Sequence, residues 1–279
     1  MKVKHSFPAH WLDGSPRYPR TKAAWKDADI IIKRYVSGEN IPAISKSYGL
    51  SADPIIRILK KNSIRIRPRA EYRIHELNEN YFEAIDSHEK AQILGFLYAD
   101  GCVAENIGSY RLSIIINEKD VKYLERIKTA FGYSGPIRRF RAQKKYNHVA
   151  LVVHSRKLCE DLIKLGCMPR KTFKVKFPTP EQVPEEFVNS FVLGFFEGDG
   201  SIWSSKRRPI NIDFIGRRNM MKAIKDRWNL TNKICKRGTT YSIVFTRKPI
   251  VQSFLKDIYS NAAFVLERKH LRALPLLNS

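Results

Sequence analysis

The sequence predicts an α+β protein in which a small all-α module precedes two copies of one αββαββα unit. Three observations predict it. The 279-residue chain carries one short pattern twice, Leu94-Gly95-Phe96-Leu97-Tyr98-Ala99-Asp100-Gly101 and Leu193-Gly194-Phe195-Phe196-Glu197-Gly198-Asp199-Gly200, at an offset of 99 residues. After each copy, apolar periods of 3.6 and of two residues recur in the same order. Upstream of the first copy the apolar spacing is helical only and is broken by glycine turns.

Each motif reads as an apolar helix with small residues at i and i+4: Gly95 with Ala99, and Gly194 with Gly198. That spacing puts both on one face, where two backbones can approach closely. The glycine after each aspartate suits the left-handed position that ends many helices. Next come alternating runs that read as strands. Leu112, Ile114 and Ile116 share one face, with Arg111, Ser113 and Asn117 on the other; Ile210, Ile212 and Phe214 oppose Asn211 and Asp213 in the second copy. An amphipathic helix follows through Val121, Leu124 and Ile127, and through Met220, Ala223 and Ile224. Later strands run over Val149–Val153 and Tyr241–Phe245, each leading into a further helix after Ser155 or Thr246.

If the motif helices pack face to face, Asp100 and Asp199 emerge side by side at the same end. Two carboxylates at helix C-termini repel each other and the negative end of the dipole, so a cation must offset them. Oxygen-only ligation with open positions suits Mg²⁺, with Mn²⁺ as an alternative ion, and such a site fits metal-assisted phosphodiester hydrolysis. Read singly, either motif could be a core helix and a turn; the repetition argues against that.

The composition points the same way. There are 51 Lys and Arg against 27 Asp and Glu, a formal charge of +24, which attracts polyanions through counterion release. Basic residues cluster at Arg138, Arg139 and Arg141 in one half and at Lys206, Arg207, Arg208, Lys233 and Arg237 in the other.

The paired motif and its spacing resemble the single-chain LAGLIDADG homing endonucleases over about residues 76–279. The resemblance implies a pseudo-twofold core whose two antiparallel sheets form a saddle over double-stranded DNA, with Asp100 and Asp199 as metal ligands and catalytic residues. It also implies basic residues late in each half, which spacing assigns to Lys171 and Lys269. DNA contacts are expected from Arg111, Ser113, Arg138, Arg139, Arg141, Lys206, Arg207, Arg208, Asn211, Asp213, Lys233 and Arg237. Tyr98 and Glu197 depart from the usual pattern; Glu197 is either an outward-facing residue, the favoured reading, or an extra carboxylate near the metals. The expected activity is double-strand cleavage at a long site by a monomer. A non-cleaving DNA-binding regulator and a maturase acting on intron RNA share the fold and stay open as alternatives.

The region from Asp27 to Arg69 resembles the helix-turn-helix of resolvase-like and transposase-like modules. Pro42 suits the first turn of one helix, Gly49-Leu50-Ser51 the turn, and Ser51 a cap of the recognition helix from Ala52 to Asn62. Arg57 and the tail residues Arg65 and Arg67 are its expected DNA contacts. The domains expected are therefore an extension over 1–26, a helix-turn-helix domain over 27–69, a linker over 70–90, a first repeat over 91–176, a proline-marked linker over 177–188 and a second repeat over 189–279.

Four cysteines without zinc-ligand spacing, no apolar run of about 20 residues and no signal-peptide core after Met1 lead to an expected intracellular protein, in cytoplasm or nucleoid, or in an organelle if intron-encoded.

Overall fold

The computed structural model describes residues 18–67, 75–106, 109–142, 146–169, 175–205 and 208–278. The chain divides into two compact units, Met1–Arg73 and Ile74–Ser279. No helix among the described residues is long and apolar enough to cross a membrane.

Among its described residues the first unit holds four short helices: α1 (Tyr18–Lys26), α2 (Ala28–Val36), α3 (Ile41–Ser47) and α4 (Ala52–Lys61). Asn40 accepts the Ala43 N–H at 2.8 Å and caps α3, whose first turn contains Pro42. Gly49, at φ +61°, turns the chain toward α4. Ser51 occupies the cap position of α4 with extended backbone, but its side chain makes no capping bond. The expected boundary at residue 27 is too late. Ala24 and Trp25 of α1 are fully buried with Ile31, Ile44, Ile55 and Leu59, because one large indole supplies what the weakly periodic α1 sequence lacks. Arg67 is also differently employed. Its backbone N–H donates to Tyr35 Oη, its guanidinium donates to the carbonyls of Tyr35 (2.6 Å) and Glu39 (2.7 Å), and it stacks 4.2 Å from the Tyr35 ring. It staples the tail to α2 instead of reaching outward.

In the second unit α5 (His88–Asp100), β1 (Gly101–Asn106), β2 (Ser109–Asn117), α6 (Val121–Ala130), β3 (Arg138–Ala142), β4 (Tyr146–Val153) and α7 (Arg156–Lys164) form the first repeat. Then α8 (Val188–Asp199), β5 (Gly200–Ser205), β6 (Arg208–Gly216), α9 (Arg218–Arg227), β7 (Ile234–Arg237), β8 (Thr240–Phe245) and α10 (Lys248–Tyr259) form the second, followed by α11 (Glu267–Leu277). Each repeat is αββαββα, as its sequence periods require. Both sheets are four-stranded and antiparallel, in orders β1-β2-β4-β3 and β5-β6-β8-β7. Ser87 and Ser155 cap α5 and α7 by accepting the N–H groups of Lys90 and Leu158.

The expected linker over 70–90 is corrected over its described part. Tyr81, Phe82 and Ile85 are buried in the main core, and the Asn78 N–H donates to the Phe131 carbonyl at 2.9 Å. Asx turns and short polar stretches had disguised a packed segment.

The two motif helices meet backbone to backbone. A Cβ built on Gly95 would lie 1.9 Å from the Phe191 carbonyl oxygen, and one on Gly194 would lie 1.8 Å from that of Gln92. A Cβ on Gly198 would meet the Ala99 Cβ at 2.2 Å. The small-residue face inferred from spacing is therefore the contact itself. At the other end, His88 Nδ1 and Ser190 Oγ share a hydrogen bond of 2.9 Å across the pair. Gly95→Ala or Gly194→Ala is expected to destabilise the second unit by more than about 3 kcal/mol, because the obstruction is backbone and cannot rotate away. Gly238→Ala, whose added methyl meets nothing within 4 Å but whose φ is +59°, should cost only about 1 kcal/mol, both effects being read from urea titrations of the variants beside the wild type.

Candidate active site

Both motif helices end at their aspartates, and both aspartates are exposed, while the helices are buried up to Tyr98 and Glu197 and half-buried at Ala99 and Gly198. Asp100 Oδ2 lies 3.4 Å from where a Cβ on Gly198 would stand, so the first carboxylate abuts the last turn of α8. Asp199 borders a depression lined also by Tyr98, Ala99, Phe195 and Arg217. The close backbone approach thus delivers the two carboxylates to one place.

The glycines that follow are not left-handed. Gly101 (φ −74°, ψ 147°) and Gly200 (φ −86°, ψ 160°) are extended and lead directly into β1 and β5. Glycine is needed there for room: a Cβ would meet the Leu97 carbonyl at 2.7 Å in one copy and Phe196 Cδ2 at 2.2 Å in the other. The chain doubles back against its own helix to begin the strand, and only a residue without Cβ fits.

Lys269 lies on α11 and is buried. Its ammonium donates to the carbonyls of Phe196 (2.7 Å), Glu197 (2.8 Å) and Gly198 (3.2 Å), and to that of Gly200. These are carbonyls at the end of α8, and a cation there complements the helix dipole. Burial and, less strongly, the neighbouring Arg268 together lower the Lys269 pKa to about 8, with Glu197, Asp100 and Asp199 opposing the shift. The expected basic residue Lys269 thus stands at the end of α8, where its ammonium caps the helix. Lys171 lies outside the described residues.

Glu197 is fully buried, against the expectation of an outward-facing residue. Its Oε2 accepts Tyr123 Oη (2.6 Å) and Gln92 Nε2 (2.9 Å), and its Oε1 accepts the Leu266 N–H (2.6 Å). Burial raises this carboxyl to about 7, with the three donors and Lys269 pulling it down. Its partners stand 105, 74 and 69 residues away, so no local pattern announces them. The one available signal is that Tyr98 holds the equivalent motif position and is also anchored, donating to the Leu165 carbonyl at 2.5 Å.

Two carboxylates with hard oxygen donors fit a Mg²⁺-like ion. Among the described residues no group of three His, Cys, Asp or Glu side chains could hold a metal. The Lys269 bonds engage the carbonyls of Gly198 and Gly200, which leaves the carboxylates as the main donors at that helix end.

The register of the sheets sorts the expected nucleic-acid contacts. Arg111 and Arg138 share the face of the first sheet that is turned away from Leu112 and Ile114, together with the exposed Ile115, Phe140 and Tyr146; Ser113 lies on that face too but is buried, its hydroxyl donating to the Cys102 carbonyl at 3.4 Å. Phe140 stacks on His148 there. Arg139 and Arg141 lie on the opposite face, since Arg139 pairs with the core residue Val149; Arg139 binds Glu118 at 3.0 Å. Strand alternation separates these arginines, which adjacency in sequence had grouped. On the second sheet Asn211 and Asp213 share a face with Arg237 and Trp203, but Asn211 is buried. Burial raises the Asp213 carboxyl, while Arg237 at 3.8 Å opposes the shift. These two residues hold the sheet surface more than they present themselves from it. Lys233 is exposed just before β7, and Arg57 and Arg65 are exposed on the first unit. Arg208 begins β6, and Lys206 and Arg207 lie outside the described residues.

No family model and no curated protein matches the sequence. Among solved structures, similarity is found to the meganuclease I-SmaMI bound to uncleaveable DNA, at 14% identity and a TM-score of 0.46 over 67% of this chain and 89% of that one. The LAGLIDADG homing endonuclease I-LtrWI bound to target DNA is similar at 12% identity and TM-score 0.44, covering 71% of this chain and 90% of that chain. I-GzeII, a LAGLIDADG homing endonuclease in complex with its DNA target, is similar at 10% identity and TM-score 0.45, covering 67% and 89%.

The capping role of Lys269 has a measurable consequence. Lys269→Met should destabilise the second unit by roughly 2–4 kcal/mol in denaturant titration, since it leaves buried helix-end carbonyls without a donor.

Proposed function

We propose that the chain is a site-specific double-strand DNA endonuclease of the LAGLIDADG homing type that hydrolyses phosphodiester bonds with a divalent metal, Mg²⁺ or Mn²⁺. The observation that carries this reading is the pair of exposed carboxylates, Asp100 and Asp199, at the ends of two helices in direct backbone contact. The motif resemblance and the formal charge of +24 support the polyanionic substrate.

Asp100 and Asp199 would hold the metal. A bound divalent ion supplies a polarised phosphate and water of lowered pKa. The protein's own contribution is positional: the glycine contact fixes the two carboxylates relative to each other, so each faces one strand of a bound duplex. Lys269 neutralises the helix end behind Asp199, and Lys171 is left as the candidate for a basic group near the reacting phosphate. Duplex contacts are assigned to Arg111 and Arg138 on the first sheet and to Arg237 and Lys233 beside the second. Phosphate contacts would set register, and few side chains would read bases.

The first unit is proposed as a second DNA-reading device of helix-turn-helix type. The exposed Ser51, Asp53 and Arg57 at and along α4 support this reading. A single chain carrying both repeats is expected to act as a monomer inside the cell.

A cleavage selection tests the proposal: full-length protein, a randomised duplex library and recovery of broken ends in Mg²⁺, in Mn²⁺ and in Ca²⁺. Breaks at one recurrent site are expected in Mg²⁺ and Mn²⁺, and Asp100→Asn and Asp199→Asn should each reduce them by roughly 100-fold or more. Specific DNA binding without breaks would instead indicate a regulator, and selective binding of structured intron RNA a maturase.

A further inference from the structure

Glu197 belongs to the motif, yet it is neither at the helix contact nor exposed beside Asp199. It is the centre of a buried polar network that joins three segments of the second unit. Through Oε2 it receives Gln92 of α5 and Tyr123 of α6, both in the first repeat. Through Oε1 it receives the backbone N–H of Leu266, the residue before α11. Gln92 completes the loop by accepting the Ala263 N–H at 3.1 Å and donating to the Phe264 carbonyl at 2.6 Å. Every polar atom of both side chains is thereby engaged. The segment so gripped, Ala263–Leu266, launches α11, which carries Lys269 to the end of α8.

The first repeat holds its own helix end by different means. Tyr98, at the motif position of Glu197, donates to the Leu165 carbonyl, and Cys167 Sγ donates to the Leu97 carbonyl at 3.6 Å. Gly166, at φ +92°, makes room, since a Cβ there would meet Tyr98 Oη at 2.1 Å. The two carboxylates therefore share a common helix contact but have separate anchors.

We propose that Glu197 is a positioning residue: by tying α8 to the Ala263–Leu266 segment and to Gln92, it fixes the end of α8, and with it Asp199, whereas the end of α5, with Asp100, is held through Tyr98. This rests on the endonuclease reading for its consequence in cleavage, though not for the anchoring itself.

The test uses the full chain and the duplex recovered in its cleavage selection, with the two strands separately labelled. Glu197→Gln keeps the side-chain volume but places an amide donor where Gln92 and Tyr123 already donate. Single-turnover cleavage should fall by at least about tenfold on one strand and by less than about threefold on the other, so that nicked duplex accumulates, as small displacements of a reacting group cost rate steeply. Affinity in Ca²⁺ should stay within about threefold, since substrate-facing surfaces are untouched. Tyr98→Phe should bias the loss toward the opposite strand.

Amide exchange in the DNA-free protein gives a readout that needs no cleavage. The Gly200 N–H donates to Phe196 and reports the end of α8; the Gly101 N–H donates to Leu97 and reports the end of α5. Glu197→Gln should speed exchange at Leu266 and Gly200 by about tenfold or more and leave Gly101 unchanged, with the reverse preference in Tyr98→Phe. Equal loss on both strands, or unchanged exchange at Leu266 and Gly200, overturns the proposal. If the wild-type protein cuts no DNA, the endonuclease reading falls, and the exchange pattern still decides whether Glu197 anchors α8. Should Glu197→Gln fail to fold, Tyr123→Phe removes one donor from the same carboxylate oxygen and carries the same measurements.

Discussion

The contact between α5 and α8 is the constraint on which the second unit depends. Gly95 faces the Phe191 carbonyl and Gly194 faces that of Gln92, each at a distance no side chain could share. With backbones this close, the helices have essentially one sliding register and one rotation. Everything downstream inherits that fixity. The helix ends coincide, Asp100 comes to rest against the last turn of α8, and β1 and β5 leave from neighbouring points to begin their sheets.

Bringing two carboxylates and two negative helix ends together is costly, and the protein offsets part of the cost itself. Lys269 places an ammonium on the carbonyls at the end of α8, and the charge is buried there among acceptors. Arg268 beside it bonds Asp120 of the first repeat at 3.1 Å, so α11 ties the two repeats as well as the helix end. The carboxylates themselves stay exposed, which is where an external cation would be useful. The cationic and aromatic side chains of the first sheet, Arg111, Arg138, Phe140 and Tyr146, face away from the core, where a polyanion with stackable bases could meet them.

The repeats are alike in architecture and unlike in detail. Tyr98 and Glu197 hold equivalent positions, yet one donates to the Leu165 carbonyl and the other accepts from Gln92, Tyr123 and Leu266. The second sheet buries Asn211, whereas Arg111, at the equivalent register position of the first, is exposed. A duplicated fold with such differences is suited to an asymmetric partner, because each half can be tuned without altering the other.

The sequence by itself determined the repeated αββαββα order, the two-sided strands, the small-residue face and the identity of the paired aspartates. These are local properties, set by periods of 2 and 3.6 residues and by small residues four apart on one helix face. Tertiary structure decided what depends on partners remote in sequence. Glu197 is buried because Gln92, Tyr123 and Leu266 converge on it, and Lys269 caps a helix some 70 residues away because α11 returns to it. Arg67 folds back onto Tyr35, Arg139 lies across the sheet from Arg138, and residues 75–87 pack where a linker was expected. A charged side chain reads as exposed until the fold supplies its counter-groups, and supplying them from a distance is something only the folded chain can do.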